Sequence, residues 1–196
     1  LTDDVVLQVL IGKGEETPLR RGNELTRNFG NILVMTQASE NACVRLIDGS
    51  SPDLSIGDPQ RILLIASNSK LDNVLTSDDQ PVPPASIFGN EPEHDWCFYY
   101  QKADLARQRG DWEEVARLGA EAEKLDLHPN DQIELMPFLQ AYAFLDNQKQ
   151  VKGLSTRINT QLFYKAQACD HLNSMAEYGY PLSPEMQGYV DELFCK

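Results

Sequence analysis

The residues best suited to chemistry are three histidines and four cysteines: His94, His128, His171, Cys43, Cys97, Cys169 and Cys195. Their spacing serves neither metal binding nor nucleophilic catalysis. There is no C-x-x-C and no H-E-x-x-H, so zinc-ribbon, thioredoxin-type and zinc-hydrolase patterns are missing. The serines lack a G-x-S-x-G elbow. Gly12-Lys13-Gly14 lacks the remaining positions of a phosphate-binding G-x-x-x-x-G-K-[ST] loop and reads as a turn. Asp78-Asp79 reads as a solvated loop, and Glu113-Glu114 with Glu121 and Glu123 as a solvated helix face. The expectation is that this chain holds no catalytic residue, no cofactor site and no metal site.

The whole-chain numbers narrow the partners. Of 196 residues, 17 are Lys or Arg and 30 are Asp or Glu, a formal net charge of −13. Such a surface repels phosphate backbones and anionic lipid, which argues against nucleic acid as a partner. A hydrophobic share of 41% is enough for a packed core. Apolar runs such as Ile62-Leu63-Leu64-Ile65-Ala66 are too short to cross a bilayer. The chain opens on Leu1 without a signal-peptide pattern. Two readings fit, a processed protein or a segment of a longer one, and the second is favoured; an upstream part could then carry transmembrane spans.

Positioning elements fall into two classes. Pro81-Val82-Pro83-Pro84 and Gly89-Asn90-Glu91-Pro92 form a proline-rich connector over 81–92. We therefore expect a small α/β domain over 1–92 and an all-α domain over 93–196, an α+β chain. In the first part, the apolar run Val5–Ile11 reads as a strand. Thr17-Pro18 opens a helix that carries Leu25 and Phe29 and stops at Gly30. Ile32–Met35 and Cys43–Ile47 read as a hairpin. Asp58-Pro59 starts a short helix over 61–66, and 71–76 is a last strand. In the second part, apolar positions at helical spacing mark helices over 94–109, 112–125, 133–145, 148–158, 160–178 and 184–195. Short breaks between them imply antiparallel hairpins.

The stretch Trp96 to Val115 resembles a tetratricopeptide repeat. It has an aromatic first helix, small Ala103 at the crossing, the Gly110-Asp111-Trp112 turn, and Ala122 where the second helix packs back. A degenerate second unit lies 36 residues on, with Val151 under Val115 and Asp146-Asn147 in place of Gly110-Asp111. The last two helices are a candidate third unit. The resemblance implies a concave face lined by Cys97, Tyr100, Asp104 and Arg107, with Met136 and Gln140 from the second unit. The groove is either a peptide-binding face or one covered by the N-terminal part or the last helix.

A wider resemblance spans roughly residues 25–145. Phe29–Val34, Ala42–Gly49 and Ile87–Cys97 resemble the soluble C-terminal region of bacterial multi-pass membrane proteins described as dolichyl-phosphate-mannose mannosyltransferase-like glycosyltransferases. It implies a non-catalytic extracytoplasmic domain for interaction or substrate positioning, tethered behind membrane helices. The catalytic carboxylate of that family lies in its membrane part, outside this segment. Expected partners are a protein or peptide, a glycan, or the membrane-embedded part of its own chain. Two alternatives stay open: a free-standing cytoplasmic repeat adaptor, and a small glycan-binding domain.

Hairpin geometry marks one cysteine pair. If the last two helices run antiparallel about a turn near residue 182, Cys169 and Cys195 lie level. They are either a disulfide, which suits an oxidising compartment, or two buried thiols.

Overall fold

Turns, caps and apolar spacing build two compact units, Leu1–Asn73 and Val74–Lys196. The division between these units lies upstream of the proline-rich connector, so Pro84–Gly89 falls in the second. The computed structural model describes residues 2–12, 14–24, 26–72, 74, 84–91 and 93–196. Together the units form an α+β chain with a helical-hairpin array.

The first unit departs from the expected element order. Val5–Ile11 is not a strand but lies in helix α1, Asp3–Ile11. Asp3 and Asp4 favour the positive helix start, and Gly12 at φ 65 ends the helix, its N–H reaching the Gln8 and Val9 carbonyls. Val6 and Val9 sit one turn apart on its buried side.

The helix expected over Thr17–Gly30 is instead two nested hairpins. Strands β1 (Glu15–Glu16) and β4 (Arg27–Asn28) flank β2 (Leu19–Arg20) and β3 (Asn23–Glu24). The tip between them is Arg21 at φ 52 and Gly22 at φ 84. Two consecutive positive φ values make a type I′ turn, whose twist matches the strands. Leu25, the other half of the expected apolar face, lies outside the described residues.

The expected hairpin is present but short, β5 (Met35–Thr36) against β6 (Arg45–Leu46), with Met35 opposite Leu46. Helix α2, Gln60–Ile65, follows Pro59 and runs into a 3-10 turn over Ala66–Asn68. Of the strand expected over 71–76, residues 73, 75 and 76 lie outside the described residues, and 71, 72 and 74 are turn or irregular rather than strand. The pairing partner of Ile32 is Ser69, through an isolated parallel bridge, and Lys70 N–H donates to the Ile32 carbonyl at 2.8 Å. Val6, Val9, Phe29, Val34, Ile47, Ile65 and Ala66 form the core.

The second unit follows its sequence closely. After a one-turn helix α3 (Ala85–Phe88) come α4 (Trp96–Gln108), α5 (Trp112–Lys124), α6 (Met136–Phe144), α7 (Gln148–Ile158), α8 (Leu162–Ser174) and α9 (Pro184–Val190). A 3-10 turn (Gln132–Leu135) precedes α6, another (Met175–Tyr178) follows α8, and a π-turn (Asp191–Cys195) ends α9. Helix α6 packs on α4, α5, α7 and α8. It is buried from Met136 to Ala143, as expected for a helix apolar on all sides.

The turns inside the first two hairpins share one geometry. Gly110 has φ 71 and Asp146 has φ 54. The following residues, Asp111 and Asn147, both have φ −87 and ψ 74 and cap the next helix. Asp111 N–H donates to the Ala106 carbonyl at 3.0 Å, and Asn147 N–H to the Tyr142 carbonyl at 2.8 Å. This is the six-to-one bond of a Schellman ending. Glycine is needed at 110 for a second reason: a side chain there would collide with Tyr180. That ring packs edge-on against Trp112 and Phe144.

Candidate functional site

The row expected to line a concave face is brought together by α4 and α6. Successive turns of α4 place Tyr100, Asp104 and Arg107 on one side, and α6 supplies Met136 and Gln140. Arg107 joins the helices. Its guanidinium donates to Asp104 Oδ1 at 2.5 Å and to Gln140 Oε1 at 3.0 Å. Gln108 donates to the second Asp104 oxygen at 3.2 Å.

These side chains are not laid open to solvent. Exposure is 2% for Tyr100, 9% for Asp104, 7% for Gln140 and 0% for Met136. Cys97 is half-buried and disulfide-bonded. The row is a polar seam inside the fold, built from an ion pair with side-chain exposures of 15% and 12%.

Two buried carboxylates extend this polar layer, and the sequence reading passed over both. Glu134, fully buried, accepts from the Trp96 indole N–H at 2.7 Å. Asp131 caps the turn before α6 through Ile133 N–H and accepts from the Tyr164 hydroxyl at 2.6 Å. One short turn therefore fastens to α4 on one side and to α8 on the other. The available signal was Asp131-x-x-Glu134 just before an apolar run, the spacing of a capping box. The chemistry shown is hydrogen-bond acceptance, from the Trp96 indole, the Ile133 N–H and the Tyr164 hydroxyl.

The histidines stay apart from one another. His94 stacks on Phe98 and bonds Glu91 at 2.8 Å, His128 bonds Asp126 at 3.0 Å, and His171 is buried in α8. Among the described residues, no group of three His, Cys, Asp or Glu side chains is placed to hold a metal ion. No described helix is long and apolar enough to cross a membrane.

Cys169 on α8 and Cys195 in the final π-turn form a disulfide, with Cα atoms 5.3 Å apart. Asn173 lies beside it, its amide nitrogen 3.4 Å from one sulfur and 3.6 Å from the other. Cys43 and Cys97 are also disulfide-bonded, so no cysteine is free.

The acidic face of α5 is locally neutralised. Arg117 donates to Glu114 at 2.5 and 2.6 Å and to Glu121 at 2.5 Å. The hydrogen bonds from Arg117 hold the Glu114 carboxyl below the ordinary glutamate value, and those from Glu114 raise the guanidinium further. These groups are exposed, so the geometry is a solvated surface network. No protein-family model, curated protein or solved structure matches this chain.

Proposed function

We propose that this chain is a non-catalytic extracytoplasmic domain of a membrane-bound glycosyltransferase-like protein. It serves interaction or substrate positioning. The observation that carries the reading is the oxidised state of all four cysteines. Structural disulfides persist in secreted and periplasmic settings and are rare where thiol reductants dominate. The resemblance of residues 25–145 supplies the membrane context. The hairpin array supplies an interaction scaffold, because stacked helical pairs form extended faces. The acidic charge fits a protein or glycan partner better than a polyanion.

The test is protease accessibility of the full-length protein in intact spheroplasts. Under this reading, added protease removes the domain before lysis, while a cytoplasmic marker survives. Protection until the membrane is broken would overturn it and favour a cytoplasmic adaptor. Crosslinking from the same preparation then identifies the partner, and a glycan array tests the sugar-binding alternative.

A further inference from the structure

The outer side of the hairpin array contains a cavity of about 240 Å³ between α5, α6 and α7. One face of α7 forms its wall: Gln150, Gly153, Leu154 and Arg157, at the i, i+3, i+4, i+7 spacing of a single helix stripe. Helix α6 contributes Phe138 and Tyr142, and α5 contributes Gly119 and Glu123.

The two glycines have different causes. A Cβ at Gly119 would stand 2.7 Å from the Tyr142 hydroxyl and 2.8 Å from Phe138 Cδ1, so close packing requires glycine there. A Cβ at Gly153 would meet only the Gln150 side-chain oxygen, at 3.9 Å. Glycine inside a helix costs roughly 0.5–1 kcal/mol relative to alanine. At 153 no contact accounts for that cost; what the missing side chain does is deepen the cavity.

The polar groups in the wall are incompletely matched. Among the described residues, the Arg157 guanidinium has no ion-pair or hydrogen-bond partner, although the residue is half-buried. The Tyr142 hydroxyl also lacks one, on a residue 7% exposed. Burial, then the charge of Glu123, holds its pKa above the ordinary tyrosine value, so it is a hydroxyl donor at neutral pH. Glu123 accepts from the Gln150 amide at 3.2 Å, and His128 is tied to Asp126. An incoming group thus meets an apolar body of Phe138 and Leu154, an unmatched cation and an unmatched donor. The Glu123 carboxylate at the rim disfavours a ligand that carries more than one negative charge.

We propose that this cavity binds a small apolar monocarboxylate, with its carboxylate on Arg157 and its hydrocarbon or aromatic body against Phe138 and Leu154. The volume equals the liquid share of about eight water molecules, at ~30 Å³ each, which suits a ligand of phenylacetate size. A guanidinium matches a carboxylate in charge and in planar geometry.

The test is a titration of the isotopically labelled chain with phenylacetate, phenylacetamide and phenethylamine, followed by amide NMR shifts. Phenylacetate should give saturable shifts at the Gly119 and Gly153 amides at millimolar concentration, and the neutral and cationic analogues should bind more weakly. Arg157→Gln should weaken phenylacetate by about tenfold, the loss of one charge-assisted hydrogen bond. Gly153→Leu should fill the cavity and abolish binding while the thermal transition stays cooperative. If Gly153→Leu fails to fold, Arg157→Gln alone decides. No saturable shift, equal binding of the amide or amine, or unchanged affinity in Arg157→Gln would each overturn the proposal.

Discussion

The two units secure their chains by different means. In the first, neither α1 nor α2 has a side-chain cap, and among the described residues all six strands contain two residues each. Its order rests on a buried polar bracket. Arg45 donates to both oxygens of Asp58, at 2.7 and 2.9 Å, and to the Asp53 carbonyl at 3.0 Å. Asp58 also accepts from the Thr36 hydroxyl at 2.8 Å and the Ser55 N–H at 2.7 Å. The side chains of this pair are 1% and 0% exposed. In the second unit, Asp95, Asp111, Asn147 and Ser183 each cap a helix, and the signals that start and stop elements are local. Short strands need a long-range tie, whereas a capped helix carries its own start signal, although its stability still comes mainly from packing.

The sharpest way to break this comparison is Asp58→Ala. Removing one partner of a buried pair leaves an uncompensated charge and costs about 3–5 kcal/mol. Hydrogen exchange should rise strongly over 34–58 and far less over 136–158. Equal loss in both segments would mean that the bracket is not specific to the first unit.

The next effect separates the two helix glycines. Gly119→Ala drives a methyl group against buried rings and should lower stability by about 1–3 kcal/mol. Gly153→Ala meets only an ordinary contact with the Gln150 side chain and should raise it by roughly 0.5–1 kcal/mol. Urea titration followed by tryptophan fluorescence reads both, since Trp96 and Trp112 lie in the second unit. Effects of the same sign would contradict the packing described here.

Cap removal comes third. Asp111→Ala deletes the acceptor for Glu114 N–H and should cost about 1 kcal/mol by the same titration. Thr2→Ala at the uncapped start of α1 should change little.

The smallest effect belongs to the surface network. Arg117→Ala should cost roughly 0.2–1 kcal/mol at low salt and less at high salt. Because the folded Glu114 carboxyl has a lowered pKa, its contribution is present above the ordinary glutamate range and is lost as pH falls through the folded value. A melting-temperature series across acidic pH should show this difference close in Arg117→Ala.

The same contrast explains what could be read from the chain. Helix α7 runs from Gln148 to Ile158 as its pattern implied, and Asp111, Asn147 and Ser183 announced helix starts within a few residues. The first unit misled because its signals were ambiguous. Val5–Ile11 is apolar apart from Gln8, and so short a run does not distinguish strand from helix. Thr17-Pro18 mimicked a helix start, while Arg21-Gly22, the true turn, carries only one glycine. The row from Cys97 to Gln140 lies along α4 and α6, and the burial of Tyr100, Met136 and Gln140 depends on tertiary packing that spacing alone does not encode. Gly153 and Arg157 passed unnoticed because a cavity wall has the same helical period as a packed face.

The oxidised state of the cysteines tests the central claim most directly. Cells expressing the full-length protein are quenched in acid, unfolded and alkylated before reduction, and the labels on Cys43, Cys97, Cys169 and Cys195 are counted by mass spectrometry. An extracytoplasmic domain predicts no label on any of the four before reduction and four labels after it. Four labels before reduction would contradict the account and return the chain to a reducing compartment.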